Sequence, residues 1–273
     1  MSQMRTIIEP GRTRSLRNPA ELWQARELLL LLAWRDFRVR YRQTAIGAAW
    51  AIIEPLATAC ILTLLFHGVA RLDARYPYTL FCYSGALAWT FFARILRSSS
   101  VSLVANAGML GKAYFPRILL PVSAAVVALV DLLFALAAFV PIALLHGSSP
   151  GPALLLLPLW VALAAACGVG VGVALAVINV RFRDVTHALP LVTQLWMFLT
   201  PVAFPLHAVP ESWRWLLLLN PLTGVVEGMR WSLLPDYPLD PAAVASACIG
   251  AAAAICVGLP VFHAGERGLA DIA

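Results

Sequence analysis

The feature of this sequence that most restricts its fold is a series of long apolar runs separated by short polar segments. The runs cover about residues 45–69, 78–93, 118–145, 153–180, 188–206 and 242–262. Most of them have the length of about 18–20 residues that a helix needs to cross a hydrocarbon core roughly 30 Å thick. Because backbone groups in lipid must be satisfied within each segment, such runs predict helices. We therefore predict an all-α polytopic membrane protein with six transmembrane helices.

The composition supports this class and excludes others. Only 12% of the 273 residues are charged, whereas soluble chains have about 25%. The net charge of +6 comes from arginines near the N-terminus and in two loops, which is typical of orientation signals and anionic lipid headgroups rather than of nucleic-acid binding. The five cysteines form no CxxC pair, so we interpret them as small buried apolar residues and predict no metal site.

The distribution of positive charge predicts the orientation. Sixteen of the 20 Lys and Arg residues fall on the side of the N-terminus, and four on the other side. The positive-inside rule then places both termini in the cytosol. Residues 1–43 would form a cytosolic tail and an interface helix, residues 44–265 the transmembrane domain, and residues 266–273 a C-terminal cytosolic tail.

A helical pattern over about residues 21–41 precedes the first run. Its aromatic and apolar residues share one side, while arginines gather on another side at Arg35, Arg38 and Arg42. This is typical of an amphipathic helix that lies in the membrane interface. A helix packed on a cytosolic partner is the alternative, and both interpretations can hold at once.

The segment between the fifth and sixth runs contains a short apolar stretch, WRWLLLL, at residues 213–219. Seven residues cannot cross a bilayer, and NPLTGVVEGMRWSLLP follows directly. We predict re-entrant or interfacial helices here.

Two carboxylates, Glu54 and Asp131, fall inside predicted spans. An ionised group at the bilayer centre costs about 2.5–3.5 kcal/mol on insertion scales, so such residues usually face protein or water. One hypothesis is an ion-coupling pair. The other is that Glu54 accompanies a break of the first span at Pro55 and that Asp131 bonds a neighbouring helix. The second is favoured because no intramembrane Arg or Lys stands out as a partner.

Small residues and aromatic residues form two further patterns. Ala164, Gly168, Gly172 and Ala176 are spaced four apart in the fourth run, which predicts close helix packing. The aromatic residues could belong to an interfacial belt, or could line a channel or its gate, where rings would stack on sugars. The candidates are Tyr83, Trp89, Phe92, Trp196, Phe198, Trp213 and Trp215.

The sequence contains no motif for a catalytic mechanism. HExxH and GxSxG are absent, and GMLGK at residues 108–112 lacks the first glycine and the Ser/Thr of a phosphate loop. If the chain works with ATP, another chain must bind the nucleotide. Two polar loops, at residues 98–116 and 179–184, are either solvated turns or, with the N-terminal helix, a docking face for a cytosolic partner.

An ordered set of motifs resembles a known family. The motifs are Arg40-Tyr41-Arg42 followed by Thr44, Gly47, Trp50 and Pro55; Tyr114-Phe115-Pro116-Arg117; Asn179, Arg181, Arg183 and Asp184; Thr200-Pro201-Val202; and Asn220-Pro221-Leu222 leading to Glu227 and Arg230. Over about residues 20–265 the chain resembles the permease subunit of type-2 ABC exporters, in the branch that exports polysaccharides and O-antigens.

The resemblance implies a homodimer in the bacterial inner membrane, paired with two cytosolic ATPase subunits that bind ATP and Mg²⁺, and no cofactor on this chain. It implies gate helices between spans five and six and a lipid-linked polysaccharide as substrate, which we expect to be an undecaprenyl-diphosphate-linked O-antigen. Capsule, teichoic-acid or small-molecule export is the alternative, followed by an ion-coupled transporter that uses Glu54 and Asp131.

The resemblance also suggests roles for individual residues. The diphosphate would be attracted by Arg38, Arg40 and Arg42. The ATPase-docking residues would be Trp34, Asn106, Lys112, Tyr114, Arg117, Arg181, Arg183 and Asp184.

Overall fold

The computed structural model describes residues 25–42, 44, 46–69, 76–110, 115–148 and 151–266. The regular structure of this part of the chain is helical throughout. Its α-helices are α1 Arg26–Tyr41, α2 Trp50–Thr63, α3 Tyr78–Ala105, α4 Ala107–Leu110, α5 Leu119–Leu145, α6 Leu157–Arg181, α7 Asp184–Phe198, α8 Glu211–Leu218, α9 Pro221–Leu233 and α10 Pro241–Glu266. The predicted N-terminal tail and two predicted docking residues, Lys112 and Tyr114, lie outside the described residues.

Five helical stretches are long and apolar enough to cross a membrane. They are Gly47–Val69, Tyr78–Ala105, Leu119–Leu145, Pro152–Arg181 and Pro241–Glu266, and each corresponds to one of the predicted runs. The predicted fifth run differs, because α7 has only 15 residues and therefore extends about 22 Å. Pro201 and Pro205 lie in the irregular chain that follows α7. Within the described residues, the sixth spanning helix is thus not confirmed.

Two predicted boundaries were wrong. We expected the second span to stop at Arg94, but α3 continues to Ala105. The serines in this extension are compatible with burial because Ser100 Oγ donates to the Leu96 carbonyl and Ser102 Oγ donates to the Ser99 carbonyl. We also expected Pro55 to break the first span, but α2 is continuous through it, since a proline removes one backbone hydrogen bond and the other bonds of the helix remain.

The centre of the bundle is α3. Of its most apolar 18-residue window, 89% is buried, compared with 22–39% for the other four candidate spans. It packs against α2, α5, α6 and α9. Large rings alternate with small side chains on this helix, and both are enclosed by the neighbouring helices. The other spans keep broad apolar faces exposed, as expected for helices that face lipid or a second chain.

The small-residue face of α6, for which the sequence predicted close helix packing, packs against α3. A Cβ atom on Gly168 would lie 2.9 Å from the Ile95 Cβ, and one on Gly172 would lie 2.5 Å from the Ser99 Cβ. The two backbones therefore approach more closely than side chains at these positions would allow.

The two ends of the bundle differ. At one end, which we call the α1 end, α1 packs on α5, and a cluster around Leu32, Leu103 and Phe262 joins α1 to α3 and α10. At the opposite end, α9 packs between α3, α6 and α10. With 8 residues in α8 and 13 in α9, both helices are too short to span a bilayer. In α1, Leu30 and Leu31 are exposed beside buried Leu32, and the amphipathic interface helix stays a prediction.

Candidate functional site

Four helices bring six charged or hydrogen-bonding side chains together near the α1 end. We call this group the charged cluster. Its members are Arg40 and Tyr41 from α1, Glu54 from α2, Arg94 and Arg97 from α3, and Asp131 from α5. The cluster links the N-terminal helix to three of the candidate spans.

Asp131 is the buried centre of the charged cluster, with a side chain that is 3% exposed. One carboxylate oxygen accepts from Arg40 Nη1 at 2.7 Å and also from Arg94 Nη1, and the other accepts from the Tyr41 hydroxyl. A buried carboxylate is costly unless it is paired and hydrogen-bonded. Three donors from two helices meet this requirement, so Asp131 bonds its neighbouring helices, as the favoured sequence interpretation proposed.

Arg94 connects the two carboxylates. Its Nη1 binds Asp131 and its Nη2 binds Glu54. The expectation that no cationic partner is available was therefore wrong. Sequence reasoning missed Arg94 because we took it as the end of a span, whereas it lies in the middle of α3.

Tyr41 takes part in this group as a neutral donor. Partial burial, followed by its hydrogen bond to the Asp131 carboxylate, raises the pKa of Tyr41 to about 12. The phenol therefore remains protonated at physiological pH and donates to Asp131.

An open cleft of about 450 Å³ lies beside the charged cluster, between α1, α2 and α3. Its volume falls within the range of about 300–1,000 Å³ that is usual for ligand sites. It is lined by Arg40, Tyr41, Thr44, Trp50, Glu54, Arg94, Arg97 and Ser98. Three guanidinium groups and three hydroxyl groups supply many donors, so the chemistry of the cleft suits an anion.

The family of this chain follows from a sequence match that includes the residues of the charged cluster. Residues 27–234 match the model of the ABC-2 type transporter family, which is most of the chain. This chain belongs to the ABC-2 type transporter family.

Proteins similar to this chain include an O-antigen export permease and a polysialic acid transport protein. The O-antigen export system permease protein RfbA of Myxococcus xanthus is 31% identical over 209 residues, which are 76% of this chain and 80% of the relative. RfbA of Klebsiella pneumoniae is 26% identical over 205 residues, 75% of this chain and 79% of the relative. The polysialic acid transport protein KpsM of Escherichia coli is 25% identical over 241 residues, 86% of this chain and 92% of the relative.

The three arginines predicted to bind a diphosphate occupy different surroundings in this ABC-2 chain. Arg40 lines the cleft and pairs with Asp131. The Arg38 guanidinium lies 5.5 Å from the centre of the Trp34 ring, and Arg42 is exposed just after α1. Arg94 and Arg97 complete the basic lining of the cleft, so the local group of arginines is Arg40, Arg94 and Arg97.

The described docking candidates of the ABC-2 chain all lie at the α1 end. Trp34 is 57% exposed on α1. The Asn106 side chain, just after α3, accepts a hydrogen bond from Arg35 of α1. Arg117 donates to the Glu266 carbonyl at the end of α10. Arg181, Arg183 and Asp184 are exposed where α6 turns into α7.

Asn179 holds this turn in place. Its amide donates to the Ser100 carbonyl at 3.0 Å, and its oxygen accepts from the Thr186 hydroxyl at 2.9 Å. The exposed turn is therefore fixed to α3.

The aromatic candidates separate into packed and exposed groups. Tyr83, Trp89 and Phe92 are buried in the core of the subunit, and the Tyr83 hydroxyl donates to the Ala135 carbonyl. Trp196 packs edge-on against Phe92, with 5.2 Å between ring centroids. Among these residues, the structure exposes Phe198, Trp213 and Trp215. Tyr83, Trp89 and Phe92 therefore pack between helices and do not line an open channel wall in this subunit.

A second buried ion pair lies at the opposite end of the ABC-2 fold. The Arg230 side chain is 0% exposed and pairs with Glu227 at 2.9 Å. Its guanidinium also donates to the Val202 carbonyl and lies 3.7 Å from the centre of the Phe81 ring. Tyr237 donates to Glu227. This network connects α9 to α3 and to the irregular segment after α7. Sequence reasoning included Glu227 and Arg230 only as members of a motif.

No group of three or more His, Cys, Asp or Glu side chains that could hold a metal ion occurs among the described residues.

Proposed function

We propose that this chain is the permease subunit of an ABC exporter that moves a lipid-linked polysaccharide, an undecaprenyl-diphosphate-linked O-antigen, across the inner membrane. The observation on which this rests is the 31% identity to an O-antigen export permease over 76% of the chain. ATP would be bound with Mg²⁺ and hydrolysed by a separate subunit, two copies of which would pair with a homodimer of this chain.

The surface at the α1 end supports an ATPase partner. Exposed Trp34, the exposed turn at residues 181–184 and the polar residues around Asn106 lie at the same end of the bundle. A cytosolic subunit that moves on hydrolysis would contact this face and displace α1 relative to the spans. The charged cluster adds polar bonds from α1 to α5 and α3, and Arg94 of α3 extends them to α2.

The cleft supports a diphosphate headgroup as the part of the substrate that is recognised. Guanidinium groups bind phosphate oxygens in bidentate geometry, and Arg40, Arg94 and Arg97 line one cleft. Arg38 and Arg42 would add long-range attraction from the surface of α1.

A second candidate function is the export of a capsular polysaccharide. The similarity to KpsM favours it, because the match covers 92% of that relative. An ion-coupled carrier is less compatible with the structure, since Asp131 already accepts from three donors and Glu54 is paired with Arg94.

Deletion of the gene in its native host, with complementation by a tagged chain, tests this function. We expect lipid-linked glycan to accumulate inside the deletion strain, and mass spectrometry of that glycan distinguishes O-antigen from capsule. Purification of the tagged chain should recover a nucleotide-binding subunit. Normal surface glycan in the deletion strain, or transport that depends on an ion gradient and needs no ATPase, would refute the proposal.

A further inference from the structure

The two carboxylates of the charged cluster are held very differently. Asp131 is 3% exposed and accepts from three donors. Glu54 is 41% exposed and faces the cleft, where Arg94 binds one of its oxygens and Arg97 lies 3.6 Å from the other. Asp131 is therefore a fixed structural member, whereas Glu54 is accessible to solvent and to a ligand.

The two arginines that pair with Glu54 can each remain stable without it. Arg94 keeps Asp131 when Glu54 is removed. Arg97 is 44% exposed, so water can solvate its guanidinium. The Arg97–Glu54 pair is exposed on both sides, and such pairs contribute about 0–1 kcal/mol. A stronger anion can therefore replace Glu54 at Arg97, and it can also bind Arg94 Nη2 while Arg94 Nη1 keeps Asp131.

We propose that Glu54 is an internal competitor at a diphosphate-binding site in this cleft, where it occupies Arg94 and Arg97 until the headgroup of a lipid diphosphate displaces it. This inference rests on the proposed function for the class of substrate. The site would consist of Arg40, Arg94, Arg97 and Ser98, with the Thr44 hydroxyl at its edge.

The lining indicates a diphosphate carried by a lipid. A diphosphate offers several oxygens with more charge than one carboxylate, and arginine forks bind such oxygens in pairs. Trp50, which is 50% exposed, forms part of the same lining, so an apolar ring is available beside the charged groups. Three arginines face two carboxylates in the cluster, and displacement of Glu54 leaves an excess of positive charge for the ligand.

Displacement would also change the connections between helices. Glu54 provides the ion pairs from α2 to α3, while Asp131 connects α1 and α3 to α5. A bound diphosphate would therefore remove the ion pairs between α2 and α3, whose apolar packing would remain, and would leave the buried part of the cluster intact.

The test is ligand binding to the purified full chain in phosphatidylcholine nanodiscs, with farnesyl diphosphate as the probe. We expect Glu54→Gln to bind it about three- to tenfold more tightly, because a competing and repelling carboxylate is removed. Arg97→Gln should weaken binding by a similar factor. Glu27→Gln, on the exposed first turn of α1, is the matched control for a lost carboxylate, and Arg214→Gln is the control for a lost guanidinium. Both controls should bind like the unmodified chain.

Two further probes separate the sources of binding. Farnesol should bind weakly and equally to all variants, and inorganic pyrophosphate should bind more weakly than farnesyl diphosphate while showing the same response to Glu54→Gln. Pyrophosphate that binds as tightly as the lipid would overturn the assignment to a lipid headgroup. Unchanged or weaker binding by a folded Glu54→Gln protein would overturn the competitor role.

Failure of this inference and failure of the proposed function remain distinguishable. If the chain supports glycan export but Glu54→Gln leaves probe binding unchanged, only the competitor role is refuted. If Glu54→Gln binds the probe more tightly but deletion of the gene leaves surface glycan normal, only the proposed function is refuted.

Discussion

Asp131 of α5 is neutralised by Arg94 of α3, in a pair whose side chains are 3% and 14% exposed. The same guanidinium reaches Glu54 of α2, and the same carboxylate accepts from Arg40 of α1. Helix α1 is thus connected to three spans through two adjacent side chains. The strength of this connection depends on its burial, because desolvated charges are costly when one partner is lost.

Removal of Arg94 should therefore destabilise the bundle. We expect Arg94→Met to cost about 3–5 kcal/mol, the usual result of removing one partner of a buried charge pair, because only the partly exposed Arg40 would then balance Asp131. Arg97→Met is the matched control, and its cost should stay below about 1 kcal/mol because Arg97 is exposed. Thermal unfolding of both purified variants in the same detergent measures the difference. Equal unfolding temperatures would mean that Arg40 alone is sufficient to neutralise Asp131.

The hydrogen bond from Tyr41 can be tested with Tyr41→Phe, which keeps the ring and removes the donor. Hydrogen bonds to charged groups contribute about 1.5–3 kcal/mol, so we expect a lower unfolding temperature. The pKa of Tyr41 is raised to about 12, so the contribution is complete below pH 10 and is lost as the pH rises towards 12. The difference between the two proteins should then be constant from pH 6 to 9. A difference that changes across this range would contradict the assignment.

The close approach of α3 and α6 predicts a position-specific effect of small substitutions. Gly172→Ala places a Cβ 2.5 Å from the Ser99 Cβ, and we expect a cost of about 1–3 kcal/mol from overpacking. Gly108→Ala is the control, because a Cβ there meets no atom within 4 Å. In thermal unfolding, the midpoint temperature of Gly172→Ala should be lower than that of the unmodified chain. The midpoint of Gly108→Ala should be unchanged or slightly higher. Similar midpoints for both would show that the α3–α6 contact adjusts freely.

Arg230 at the opposite end should be intolerant of replacement. Arg230→Met leaves Glu227 buried with only Tyr237 as a donor, and a loss of about 3–5 kcal/mol is expected. Arg230→Lys should rescue little, because an ammonium cannot reproduce the planar fork or its stacking on Phe81. Size-exclusion profiles and unfolding temperatures measure both variants against Arg214→Met, whose side chain makes one long bond to the Val209 carbonyl. Full rescue by lysine would show that charge alone is needed.

Local properties of the sequence were sufficient to predict the helical class and the packing face of α6. The apolar runs specify spanning helices because lipid leaves the backbone no other partner. Spacing by four specifies one helix face, so close packing of this face could be predicted. The partner helix, α3, is known only from the structure. Helix ends were harder to predict, because burial of Ser99, Ser100 and Ser102 depends on bonds to neighbouring carbonyls rather than on hydropathy.

The sequence by itself determined that this protein is a bundle of apolar helices with two carboxylates inside and arginines concentrated towards one side. It could not determine which charges meet, because Arg40, Glu54, Arg94 and Asp131 are far apart in the chain and no periodic pattern relates them. Only the tertiary structure decided that Asp131 is fully paired and that Glu54 faces an open cleft. The physical reason is that pairing and exposure depend on how α1, α2, α3 and α5 pack together, and this arrangement is a property of the whole bundle.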